Sequence, residues 1–229
     1  MDNNPKSESR LESFLANPTK SLWSLAIPIM FGMGIQTLYN LVDMLFIGRL
    51  GGDSITGVAF NMPIFFLMLG LTMGLGSGVT ASIARFIGED NKVDADNSAE
   101  HALLIASGIA VTFTALGLYF GKDLLFFLGA EGEIHLLAWD YLSTIIIGLP
   151  FMVFSGFFRS ILAGEGDMKF PMMIAGLGTV LNIFLDPIFI FELESYGNIG
   201  LGMGISGAAL ATVVSQFVVF LLFVYMLFV

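Results

Sequence analysis

Polar and apolar positions in this chain separate on a scale of about twenty residues rather than residue by residue. Charged side chains stand in short clusters, and between them run uncharged stretches at 21–42, 54–84, 102–121, 141–158, 170–185 and 195–229. An α-helix needs about 20 apolar residues to cross the hydrocarbon core of a bilayer. The pattern therefore predicts six crossing helices, at about 21–48, 54–86, 99–120, 133–158, 170–191 and 204–229, with Asp43 embedded in the first and Asp186 in the fifth. Strands of a membrane barrel would instead alternate apolar and polar residues in segments of about ten, and these stretches are continuously apolar.

Residues 1–20 are polar and mixed in charge and read as a tail. The first apolar run is too long for a signal-peptide core and no cleavage-like site follows it, so it reads as a mature helix. Asn17, Pro18 and Thr19 precede it and Gly48 ends it, as helix start and stop signals do. Lys and Arg favour the cytoplasmic side of short loops. Lys6, Arg10, Lys20, Arg85, Lys92, Arg159 and Lys169 fall on one side and Arg49 and Lys122 on the other. That bias predicts a multi-pass protein of the cell membrane with a cytoplasmic N-terminus. The last stretch, QFVVFLLFVYMLFV, reaches Val229 without a polar flank. This leads us to expect a further portion of the protein beyond it; the alternative is a short protein that dimerises.

Composition narrows the classes. Of 229 residues, 56% are hydrophobic and only 12% charged, and a soluble domain could neither hide so much apolar surface nor solvate itself so sparsely. The absence of Cys excludes thiol catalysis, Cys-ligated zinc and iron–sulfur clusters. A net charge of −10 argues against nucleic acid, which needs clustered Lys and Arg. The partner implied by the composition is the lipid bilayer.

The candidate chemistry lies in the few polar residues within the spans. A bare carboxylate inside a bilayer costs about 2.5–3.5 kcal/mol on insertion scales, so it persists where it is paired, faces a wet cavity or exchanges a proton for a cation. Gln36, Tyr39, Asn40 and Asp43 are spaced i, i+3, i+4, i+7 and form a polar stripe on the first helix. Thr179, Asn182 and Asp186 form another on the fifth, and Thr212 and Gln216 a third on the sixth. Three such stripes suggest one shared interior site. The plainer readings are an interfacial Asp43 among headgroups, a helix-terminal Asp186 before Pro187, and Asn40, Thr179 and Gln216 as interhelical hydrogen-bond glue. A weak parallel echo links helices 1 and 5: Pro28 precedes Asp43, and Pro171 precedes Asp186, by 15 residues each.

Other features read as structural. Pro28, Pro63, Pro150 and Pro187 lie within helices and favour kinks. Gly70, Gly74 and Gly78, four apart, form a close-packing ridge. His101 and His135 share no metal-ligand spacing, Asp140 is ambiguous, and GLGMG at 200–204 is a turn rather than a phosphate loop.

Four segments carry a family resemblance: TLYNLVDMLFIGRLGG at 37–52, the G-E-G-D-x-x-x-x-P turn at 164–171, LNIFLDPIFIF at 181–191 and GISGAALATVVSQ at 204–216. Together they resemble the multidrug and toxic compound extrusion (MATE) family, in its prokaryotic branch. The resemblance implies an all-α membrane protein whose six helices form one lobe of a twelve-helix, two-lobe transporter, the C-terminal lobe lying beyond this sequence. It implies antiport without a cofactor, with H+ or Na+ entry driving efflux of lipophilic, often cationic small molecules. It further implies an ion site of Asp43, Asn182, Asp186 and Thr212, with Tyr39 near it and Pro28 as the bend of the first helix.

A flippase for lipid-linked saccharides would favour cations in its cavity, and no Lys or Arg falls in the uncharged runs. A channel would need a filter motif. An enzyme built on Asp43 and Asp186 would need a nucleophile-activating or metal-binding set, so the chain reads as a transporter and not an enzyme.

Overall fold

The computed structural model of the chain describes residues 40–192 and 200–228, together with isolated positions 19, 23, 27, 30, 34 and 37. Two units are distinguished, Met1–Asn40 and Leu41–Val229. In the first, Thr19, Trp23, Ile27, Met30, Gly34, Thr37 and Asn40 are helical and exposed. Pro28, Gln36 and Tyr39, and most of the expected tail, lie outside the described residues.

The second unit is helical. It comprises α1 (41–48), α2 (Gly52–Gly88), α3 (Lys92–Phe127), α4 (Gly132–Gly164), α5 (Lys169–Ile190) and α6 (Ile205–Phe228). Among the described residues five helices, α2 to α6, are long and apolar enough to cross a membrane. At 22 residues α5 is about 33 Å long at 1.5 Å per residue, close to one hydrocarbon thickness. In contrast, α3 starts at 92 rather than the expected 99, and α4 ends at 164 rather than 158. The extra turns of α3 carry charged residues, whereas those of α4 bury Ile161, Leu162 and Gly164 within the protein. Asn91 caps α3 by accepting from the Asp94 amide, and Asp94, Asp96 and Glu100 ride on its first turns. Hydropathy marks where a helix is in lipid, not where it ends.

The central helix is α4. Of its most apolar window 56% is buried within the protein, against 11% for α2 and for α3. It packs on α2, α3 and α6. Against α6 it presents an aromatic ladder: Phe151 meets Phe217 at 4.9 Å, Phe154 meets Phe220 at 5.9 Å, and Phe158 meets Phe223 at 6.0 Å. Numbers rise together on both helices, so α4 and α6 run parallel. Against α2 the fit depends on small residues. A Cβ at Gly57 would lie 3.1 Å from the Leu137 Cβ, one at Gly76 would fall on the Ser160 hydroxyl, and one at Gly164 would lie 2.8 Å from the Ile83 Cβ. Asn61 sits fully buried in the same seam and donates to Gly57 O at 2.9 Å and Ala138 O at 3.1 Å. The ridge expected at Gly70, Gly74 and Gly78 is corrected here. All three are exposed, and no atom among the described residues lies within 4 Å of an added Cβ. Period alone cannot say which of two glycine faces meets a neighbour.

The GEGD turn is an elbow. Gly164 lets α4 touch α2, Gly166 takes φ +86°, and Asp167 Oδ1 caps α5 by accepting from the Lys169 amide at 2.9 Å and the Phe170 amide at 3.2 Å. At the other end of α5 the GLGMG segment does more than turn. It folds back as a strap whose amides at Leu201, Gly202, Met203 and Gly204 donate to the carbonyls of Ile188, Phe191, Phe189 and Ile190. A helix ends with four orphan carbonyls, and this strap satisfies that end of α5 with backbone alone. Pro187, inside the last turn, leaves the helix continuous.

Candidate functional site

The buried face of α5 is one row with a step of four: Ile174, Gly178, Asn182, Asp186 and Ile190. Asn182 is 2% exposed and Asp186 0%. Burial of an amide and a carboxyl in one row of an otherwise apolar helix demands partners. Those partners come from two other helices. On α6, Thr212 Oγ1 accepts from Asn182 Nδ2 at 3.4 Å and donates to Ala208 O of its own helix at 3.2 Å. On α1, half-buried Asp43 brings its carboxyl into side-chain hydrogen-bond contact with that of Asp186.

That carboxyl–carboxyl contact defines what the site can do. Ionised carboxylates only accept hydrogen bonds, and two bare ones repel. The contact therefore needs a proton between the two groups, or a cation in its place. The donor set suits both uses. Asn182 turns its Nδ2 toward Thr212. Carboxylate, amide and hydroxyl oxygens are the ligands a hard cation takes. Asp43 Oδ1 is buried with no donor among the described residues.

One turn along each helix the surface becomes apolar. Ile47 follows Asp43, Ile190 follows Asp186, and Ala208 precedes Thr212, each at four residues and each at 0–1% exposure. With Tyr141, Ile145, Ile205, Ala209 and Val213 they form one cluster. This apolar plug lies one turn from the site on the side of the GLGMG strap.

The structure thus brings together Asp43, Asn182, Asp186 and Thr212. Thr179 and Gln216 lie half-buried about one turn farther from the plug, and neither side chain is hydrogen-bonded among the described residues. Asn40 belongs to the first unit. Asp140 is exposed, and its backbone carbonyl accepts from Thr144 Oγ1 at 3.0 Å. His101 Nδ1 contacts Asn97 O, and His135 Nε2 contacts Lys122 O, well apart in sequence and on different helices, α3 and α4. Sequence reasoning missed the plug and Asn61. The plug's Ile and Ala residues are indistinguishable from lipid-facing bulk until their helices are placed.

Buried, paired carboxyls among membrane-length helices mark a polar site inside a membrane protein. The MatE family model matches residues 28–188, and the chain belongs to that family. It is 32% identical over 199 residues to the probable multidrug resistance protein NorM of Thermotoga maritima, which covers 87% of this chain and 42% of the relative. It is 30% identical over 206 residues to an FAD transporter of Shewanella oneidensis, covering 90% and 45%. The chain spans about half the length of the curated relatives it matches. Among solved structures it is 40% identical, at TM-score 0.80, to an outward-facing multidrug resistance MATE family transporter, covering 90% of this chain and 44% of that one. To an inward-facing one it is 41% identical at TM-score 0.79, covering 90% and 45%. The likeness is nearly the same for the two states.

Proposed function

We propose that the chain forms one six-helix lobe of a twelve-helix antiporter that exports lipophilic, often cationic compounds in exchange for H+ or Na+. Asp43, Asn182, Asp186 and Thr212 are its ion site. The observation that carries the reading is the contact of the Asp43 and Asp186 carboxyls, with Asn182 and Thr212 beside them. With a proton or Na+ between them the carboxyls stay together and the site is close to neutral. When that ion leaves, two bare charges remain in a low-dielectric setting and repel. α1 then separates from α5, and the pair attracts a cationic substrate. Reloading the site removes that attraction, the substrate leaves, and the lobes rock. Gln36, Tyr39, Asn40, Thr179 and Gln216 supply polar lining to the substrate path, and Pro28 the bend of the first helix. By the distribution of Lys and Arg, the N-terminus is cytoplasmic.

The test uses the complete protein in proteoliposomes, with ethidium as a lipophilic cation and H+ or Na+ gradients imposed separately. Asp43→Asn and Asp186→Asn each lower gradient-driven export about ten- to a hundredfold, the loss expected when a buried charge-assisted contact is removed. Full export by both variants rejects the ion site. Competition by flavin adenine dinucleotide, with none by lipophilic cations, would move the substrate class toward that of the Shewanella relative.

A further inference from the structure

α5 and α6 run antiparallel, with Asn182 opposite Thr212 and Gly178 opposite Val219. They come into close contact at two glycines, one on each side of the polar pair. A Cβ on Gly178 would lie 2.5 Å from Val219 Cγ2, and Val219 is 3% exposed, with little room to move aside. A Cβ on Gly207 would fall on the Phe189 carbonyl oxygen and lie 2.6 Å from its carbon, so there α6 rests on the α5 backbone itself. Neither glycine has a positive φ. Their lack of a side chain serves separation, not backbone conformation.

Between these two contacts the Asn182 Nδ2 to Thr212 Oγ1 distance is 3.4 Å. Amide–oxygen hydrogen bonds are usually 2.7–3.2 Å, so this bond sits at its outer limit, where a further few tenths of an ångström removes it. Thr212 Oγ1 also donates to Ala208 O at 3.2 Å, which ties the hydroxyl to its own helix. The helix separation therefore sets the length of this bond, and Asn182 is the neighbour of Asp186 in the same row.

We propose that Gly178 and Gly207 are positioning residues of the exchange site: by letting α5 and α6 touch on both sides of Asn182 and Thr212, they set the separation at which that pair orients the ligands around Asp186. The inference rests on the ion-site reading above, and its test separates the two. In the complete protein in proteoliposomes, ethidium export is followed while the driving ion, Na+ or H+, is titrated. Gly178→Ala raises the half-activating ion concentration about tenfold, with the maximal rate changed much less. Val219→Ala, added to Gly178→Ala, restores it, because the nearest remaining Val219 atom, Cβ, lies at 3.9 Å. Val219→Ile, which presses the same contact by one methylene in a protein that folds, shifts the titration in the same direction by less.

A wild-type titration in folded Gly178→Ala or Val219→Ile protein overturns the proposal, as does a shift that Val219→Ala fails to reverse. Should Gly178→Ala not fold, Val219→Ile decides by the same criterion. Asp186→Asn is run alongside. If it keeps ion-driven export, the ion-site reading itself has failed; if it loses export while the glycine variants titrate normally, only the positioning role has.

Discussion

The α2–α3 hairpin and the α5–α6 hairpin are both made of membrane-length apolar helices and are used in opposite ways. α2 and α3 run 37 and 36 residues, are joined through Glu89, Asp90 and Asn91, and turn most of their surface outward. α5 and α6 run 22 and 24 residues, bury a row that includes Asn182 and Asp186, and are joined by a strap that hydrogen-bonds back onto α5. The two also differ in where small residues fall. In the first hairpin Gly70, Gly74 and Gly78 face outward, whereas in the second Gly178 and Gly207 face each other's helix across a polar pair.

This contrast can be broken by substitution. The largest stability effect is expected where α4 meets α2. Gly164→Ala puts a Cβ 2.8 Å from that of Ile83 and should cost about 1–3 kcal/mol through overpacking. Gly74→Ala, on the outward face, should stay within about 0.5 kcal/mol. Thermal melts of the purified protein check both, and equal shifts would erase the distinction between the two glycine faces. Next comes Asn61→Ala, which removes the donor to Ala138 O and should cost about 1–2 kcal/mol, with ion-driven export retained because the side chain lies outside the carboxyl pair. Smallest is Asp167→Ala. It removes the cap of α5 and should cost about 1 kcal/mol, and hydrogen exchange should report that loss as fraying confined to Lys169 and its neighbours.

Much of this was legible in the sequence, for identifiable reasons. Six helices follow from the lengths of the uncharged runs. The stripes through Asp43, Asn182 and Thr212 follow from helical spacing, and a carboxyl at such depth singles itself out. Which stripe members meet does not follow. Asn182 and Asp186 reach partners on other helices, while Thr179 and Gln216, equally polar and correctly spaced, are not hydrogen-bonded to them. The extended ends of α3 and α4 were hidden because charges that mark the edge of lipid do not stop a helix. Gly178 and Gly207 were hidden because a glycine announces nothing about distance until its neighbour is placed, and the strap because its bonds use main chain alone.

The turn of Ile47, Ile190 and Ala208 has one last implication. Together with Tyr141 and Val213 it forms buried apolar packing one turn from the carboxyl pair at the strap end. In the exchanger proposed above, such packing would bar a hydrated ion from slipping past Asp186 on that side, so that ions would cross only as the whole lobe reorients.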